Sequence, residues 1–376
     1  MLTIETDIME EAKRLYKAGD RKGALPLFQT LKDQGNEEAT IYWARCECVG
    51  IYAPIERKEM IIKGLLPVYE KQGKWAGDAA AEIGIAYQHM AMGLQNQLLK
   101  LKSGLEIPRD KCDLPWVQER RKEAYQKLQK PQEELQNQLE KLQKQLEERA
   151  EDAELWYEKA VALGSQIGMC YLAQYLTTPK RLLDLENPRT KDKPFSSYDM
   201  FAKGLFFSGN SDAEKIEKLW KRLYELHDGF DSTAAAALVE LCNCQDRLEE
   251  AIAWARKGSE LSSVNSMTFL AGCYEAGQGV QKDLHQAIAL FIKAYQVGCQ
   301  SAEQATSKLS KYLELNEVAQ IADEIAYCYS QLGEKEEASH WWDIALKRLR
   351  ESDEADGGNR QSNPLRVLSH WAQREQ

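Results

Sequence analysis

The stretch Leu270-Ala271-x-x-Tyr274-x-x-Gly277-x-Gly279-Val280-x-x-Asp283, continuing through Ala287-x-x-Leu290-Phe291-x-x-Ala294 to Gly298 and Ala302, decides the fold. On both sides of the glycines, large apolar and small residues recur at intervals of three and four, the spacing of one face of an α-helix. Small residues let two antiparallel helices approach closely, and large ones fill the space between them. The glycines supply positive-φ turn geometry that other residues adopt at a cost. The segment Val264 to Ala302 therefore reads as helix, turn, helix.

The second half of this unit recurs in the same register. Ala153-x-x-Trp156-Tyr157-x-x-Ala160 leads to Gly164 and Gly168, and Ala338-x-x-Trp341-Trp342 leads to Ala345. Ala24-x-x-Leu27-Phe28-x-x-Leu31 leads to Gly35 and Ala39, and Ala251-x-x-Trp254 leads to Gly258. The first half recurs as Ile83-Gly84-x-x-Tyr87, Leu238-x-x-x-Cys242 and Ile325-Ala326-x-x-Tyr329. Such a pattern predicts a helix-turn-helix array in which each unit buries its apolar face on its neighbours. Trp156, Trp254 and Trp341 share one repeat position, which predicts packing between helices rather than ligand stacking.

The segment Leu270 to Ala302 resembles the Sel1-like repeat, a relative of the tetratricopeptide repeat with a longer turn between its two helices. Ile83-Gly84-x-x-Tyr87 followed by Trp156-Tyr157-Glu158-Lys159-Ala160 is similar to a second such repeat, split by an insertion. The pair from Tyr329 to Ala338 has the shorter turn and is more similar to a tetratricopeptide repeat. The regular cysteine pairs of the disulfide-rich secreted branch of that family are missing. The resemblance implies an all-α, right-handed α-solenoid and protein–protein interaction, often in bacterial assembly, secretion, host interaction or toxin neutralisation.

Composition narrows the function classes. The 376 residues carry 59 Asp and Glu against 49 Lys and Arg, a net charge of −10. That balance opposes a phosphate-neutralising surface, so nucleic acid is not an expected partner. No apolar run reaches the ~18 residues that would indicate membrane insertion. Met1-Leu2-Thr3-Ile4-Glu5-Thr6-Asp7 lacks the basic start and apolar core of an export signal. Nine cysteines, an odd number without close, even spacing, do not form a disulfide framework. A cytoplasmic protein is the expectation.

The expected organisation has N-terminal repeats over 1–90 and an inserted coiled-coil-like helical hairpin over 91–150. In the hairpin Leu94, Leu98 and Leu101 would pack antiparallel on Leu135, Leu139 and Leu142, with Leu146 on the same seam. C-terminal repeats would fill 151–350, including a loop over 177–198 and helices near 197–208, 283–297, 300–313, 317–331 and 334–350. A mobile acidic linker over 351–363 would precede a capping helix within 364–376, where Leu365, Leu368 and Trp371 share a stripe.

Motifs that carry chemistry are sparse. His89, His227, His285, His340 and His370 are scattered without metal-site spacing. Cys46-x-Cys48 and Cys242-x-Cys244 fall on helices, where i and i+2 point to different faces, and structural zinc needs four ligands. Gly277-x-Gly279 has neither a preceding strand nor a following Gly-Lys-Ser/Thr, so it reads as a turn rather than a phosphate loop. No catalytic, cofactor or metal site is expected. In an array of this kind the first helix of each pair lines the inner face. That register nominates Lys13, Lys17, Ile85, Gln88, His89, Glu240, Asn243, Glu275, Tyr327 and Gln331 for partner contact. Their mixed charge fits a protein or peptide better than a polyanion. The expected function is a non-enzymatic adaptor or scaffold, binding a protein or peptide on its concave face or through the hairpin, which could also join two copies. The alternative is an immunity or inhibitor protein that neutralises a cognate toxin or enzyme.

Overall fold

In the computed structural model, residues 2–48, 53–105, 115–177, 213–305, 307–355 and 357 are described, with side chains outside 2–4 and 99–136. All regular structure among them is α-helical. The chain divides into two compact units, Met1–Lys191 and Asp192–Gln376. Unit 1 holds α1 (Leu2–Lys17), α2 (Arg21–Asp33), α3 (Glu37–Glu47), α4 (Ile55–Glu70), α5 (Ala76–Leu105), α6 (Pro115–Ala162) and α7 (Gln166–Thr177). Unit 2 holds α8 (Ala213–Leu226), α9 (Asp231–Cys244), α10 (Leu248–Glu260), α11 (Val264–Ala276), α12 (Leu284–Gln304), α13 (Lys308–Leu332) and α14 (Lys335–Ala355).

Consecutive helices pack on one another, and first helices also meet first helices of the next pair: α3 with α5, α5 with α7, and α9 with α11. Within each unit the architecture is a stack of helix-turn-helix pairs. Local chemistry sets the ends. Asp20, Asn36 and Asp283 accept hydrogen bonds from the backbone N–H three residues on, at 2.9, 2.9 and 3.0 Å, satisfying donors the first turn leaves open. Gly277 (φ 72°) and Gly333 (φ 80°) close α11 and α13 in the left-handed conformation.

The alanines of the repeated register sit where helices touch. Ala24, Ala153, Ala251 and Ala287 are fully buried and Ala338 nearly so. Glycines allow still closer approach. A β-carbon on Gly84 would lie 2.6 Å from the Tyr157 ring, and one on Gly168 would lie 2.5 Å from that of Ala160.

The shared tryptophan position joins successive second helices. Trp156 of α6 meets Tyr69 of α4 with ring centroids 4.9 Å apart and planes at 76°. Trp254 of α10 meets Tyr224 of α8 at 5.1 Å, and Trp341 of α14 meets Tyr295 of α12 at 5.2 Å, both edge to face. All three tryptophans are half-buried. The lysine one turn later covers the exposed ring, with Lys159 3.8 Å from the Trp156 centroid and Lys257 3.9 Å from that of Trp254. Between α10 and α12 the corresponding residue is Leu290, and Lys293 instead donates to the Ser259 carbonyl at 3.1 Å.

Several boundaries differ from the sequence expectation. The helices expected at 283–297, 300–313 and 317–331 are two, α12 and α13. Gly298 does not end a helix but stays inside α12, where a β-carbon would lie 2.9 Å from Val318 of α13. α12 ends at Gln304 and α13 begins at Lys308, where the Ser307 hydroxyl caps α13 by accepting from the Ser310 N–H at 3.0 Å. The helix expected to end at 350 continues to Ala355, so the first residues assigned to the acidic linker are helical. By compactness α6 and α7 group with unit 1. In the hairpin Leu94, Leu98, Leu139 and Leu146 are buried between α5 and α6. Thr177, the first residue of the loop expected over 177–198, ends α7, while the rest of that loop, the Leu101 and Leu135 side chains, the helix at 197–208, residues 356 and 358–363 of the linker and the 364–376 cap lie outside the described residues.

The same substitution should act with opposite sign at two glycines. Gly84→Ala forces a methyl into the Tyr157 ring and should destabilise the protein by about 1–3 kcal/mol. Gly272→Ala, in the middle of α11 with nothing within 4 Å of the new carbon, should stabilise it by roughly 0.5–1 kcal/mol. Urea unfolding of both variants checks the pair.

Candidate functional site

First helices carry the residues nominated for partner contact. In unit 1, Lys13 Nζ lies 2.8 Å from the Glu38 carboxylate and 6.0 Å from the Tyr42 ring, so α1 and α3 share it. Lys17 is exposed and Ile85 half-buried. Gln88 accepts a hydrogen bond from the Tyr157 hydroxyl and is committed to the packing of α5 on α6. His89 faces inward as well. Its Nδ1 is 3.3 Å from Cys48 Sγ, and its carbonyl accepts from the buried Lys58 ammonium at 3.0 Å.

Cys48 beside His89 has the outline of a nucleophile and its base, but the electrostatics run the other way. Burial first, then Glu82, pushes the Cys48 thiol up to about 11. Burial and then the Lys58 charge lower His89. A nucleophilic cysteine needs a depressed value and a cationic partner. This pair is a packed thiol and a neutral imidazole. Among the described residues no cluster of His, Cys, Asp or Glu could hold a metal ion, and no helix is long and apolar enough to cross a membrane.

In unit 2 the structure brings two nominated residues together. Gln331 of α13 donates to Glu275 of α11 at 3.1 Å, and its own carbonyl accepts from Lys282 at 2.9 Å. Glu275, Glu324 and Lys282 all act on the Cys328 thiol, which burial first pushes up to about 12. Tyr327 is half-buried one turn before Gln331. On α9, Asn243 is exposed and Glu240 half-buried. Burial raises Glu240.

Two features were not nominated from sequence. Arg45 of α3 donates from Nε to Glu82 of α5 at 2.6 Å, and Glu82 is only 4% exposed. Burial outweighs Arg45 and raises Glu82. Nothing in the local pattern of either helix announces a pair 37 positions apart. The second is Glu317 on α13, raised to about 7 by burial and then by Glu314. It lies two turns before Glu324 on the same stripe.

Charge is unevenly divided. Residues 1–191 hold 29 Lys and Arg against 30 Asp and Glu, and residues 192–376 hold 20 against 29. Unit 1 is therefore −1 and unit 2 is −9 of the total of −10.

The geometry defines an all-α protein of stacked helix-turn-helix pairs. No protein-family model matches the sequence, and no curated protein is significantly similar to it. Among solved structures, the chain is similar to a Sel1 repeat protein from Oxalobacter formigenes at 16% identity, covering 90% of this chain and 98% of that one, with a TM-score of 0.41. It is also similar to a protective antigen of uropathogenic Escherichia coli that displays an SLR fold, at 15% identity, 98% and 91% coverage, and a TM-score of 0.34.

Glu317 gives the unit a pH signature. Its folded value, about 7, exceeds the usual carboxylate value of 4.5, so the folded state holds the proton more tightly. The stabilisation is complete below the unfolded value and is lost as pH rises through the folded one. Glu317→Gln should therefore match the parent near pH 4.5 and unfold at a higher temperature above about pH 7, as a pH series of melting curves would show.

Proposed function

We propose that the chain is a non-enzymatic scaffold that binds a partner protein on the faces of its first helices. The observation that carries this reading is the face shared by α11 and α13 in unit 2. There, side chains of α11, α13 and the turn between α11 and α12 form a hydrogen-bonded row from Lys282 through Gln331 to Glu275. Second helices are occupied by edge-to-face aromatic contacts with one another, whereas first helices present polar groups of the kind that fix orientation in an interface. The Cys48–His89 contact, the nearest approach to a catalytic pair, is tuned against nucleophilic chemistry. That supports binding over catalysis.

The reading is tested with the tagged full-length chain in its native cells, by lysine cross-linking and mass spectrometry. A bound protein should cross-link at Lys13, Lys17 or Lys282, on first helices or the turn beside them. Cross-links confined to Lys159, Lys257 and Lys293 on second helices, or no protein above background, would count against it. Scaffold and inhibitor use the same surface, and they separate on whether the captured protein keeps its activity when bound.

A further inference from the structure

The contacts between α5 and α6 fix which of their residues lie level. Gly84 rests against the Tyr157 ring, and Asp78 accepts from the Ser165 hydroxyl at 2.7 Å. Farther out, Ala91 and Leu94 share a core with Leu142, Leu146 and Ala150. Level residue numbers therefore add to about 240, with 241 for Gly84 and Tyr157 and 240 for Leu94 and Leu146. Leu105, the last residue of α5, stands level with about residue 135 of α6, yet α6 starts at Pro115. Roughly twenty residues of α6, about 30 Å of helix, run past the end of α5. The nine residues between the two helices could span only about 14 Å as a helix, too little to partner that length. The other neighbour, α7, meets α6 at Ala150, Tyr157 and Ala160, toward its far end.

A helix of that length is marginal in water unless an apolar face is packed. The sequence of the free stretch carries such a face. Leu128 and Leu135 continue, in steps of seven, the row that includes Leu142 in the α5–α6 seam, and Val117 and Ala124 fall between them in heptad register. With the leucines at position a, Val117, Ala124 and Pro131 take d, Arg121 takes a, and Arg120, Lys127 and Glu134 take the flanking g positions. Turned end for end against itself, the stretch is self-complementary, because a then faces d and g faces g. Leu128 comes opposite Ala124, Leu135 opposite Val117, and Arg120 opposite Glu134. This register sets Pro115 of one helix level with about residue 137 of the other, just past the point where α5 stops. The incoming helix thus begins where α5 ends, without overlap. A parallel pairing would stack Arg121 on Arg121 and gain no ion pair. Lys127 falls opposite itself at the two-fold axis, a like-charge contact that opposes pairing slightly.

We infer that the free N-terminal stretch of α6 pairs antiparallel with the same stretch of a second copy of this chain, extending the α5–α6 seam into a symmetric dimer contact. The interface is isologous, so each favourable pairing occurs twice, once on either side of the two-fold axis. It lies apart from the first-helix faces proposed above for a foreign protein and leaves them open.

The test is sedimentation equilibrium of the intact chain, with thermal unfolding followed by circular dichroism to show that each variant is folded. The parent should associate to a dimer in the micromolar range. Leu128→Lys should leave a monomer whose main unfolding transition is unchanged, since the arm stands apart from the stacked pairs. Arg120→Glu and Glu134→Arg should each weaken the dimer by roughly ten-fold, because like charges then meet at both ends. An equal mixture of those two variants should recover the parental affinity, as every swapped charge again meets its opposite. A parallel pairing would ignore both swaps. A chain that stays monomeric, a dimer that survives Leu128→Lys in a folded protein, swaps without effect, or mixing without recovery would each overturn the inference. None of these outcomes touches capture of a foreign protein at Lys13, Lys17 or Lys282, so the two readings stand or fall separately.

Discussion

Two helices can lie side by side only as near as the atoms between them permit, and in this chain that distance is set by residues with almost no side chain. Ala24, Ala153, Ala251 and Ala287 are completely buried, and Gly84 rests against the face of the Tyr157 ring. Close approach excludes water along each seam, and the large residues beside it then bury their full apolar surface. A fully buried Leu or Ile contributes about 1.5–3 kcal/mol by that transfer. Leu31, Ile83, Leu172 and Ile216 are buried to this degree only because the backbones around them are near.

Lateral contact between repeats uses different chemistry. An aromatic ring on one second helix meets the edge of a ring on the next, and a lysine closes the outer side. This arrangement tolerates exposure, since the lysine stem covers apolar surface while its charge stays in water. It explains why Trp156, Trp254 and Trp341 are half-buried rather than central. Tyr157 and Trp342, each one position further along, take the interior places, and Trp342 donates to the buried Asp323 at 3.1 Å.

The helix-pair architecture was legible in the sequence because its cause is local. The spacing of Ala, Trp and Gly residues encodes helix–helix approach directly. Helix ends were less legible where one residue type serves two physical roles. Gly298 looks like a terminator, yet it is a contact residue inside α12 against Val318. Of the nominated partner residues, Glu275 and Gln331 do meet, whereas Gln88 and His89 are taken up by internal bonds. Helical register tells which side of a helix a residue occupies. It does not tell whether a neighbouring helix has already claimed that residue, because the claim comes from a chain segment dozens of positions away.

The Arg45–Glu82 pair has a consequence for how such a chain can change over time. Tandem arrays lengthen when a unit is duplicated, because each copy offers the same surface above and below. Between α3 and α5 the surfaces are not interchangeable, since α5 brings a carboxylate that only α3, with its guanidinium, can answer. A copied or transposed unit inserted at that seam would leave an unanswered charge out of water, at a cost of several kcal/mol. Duplication at that seam therefore carries a penalty that seams joined by aromatic contacts, such as Tyr69 with Trp156, do not.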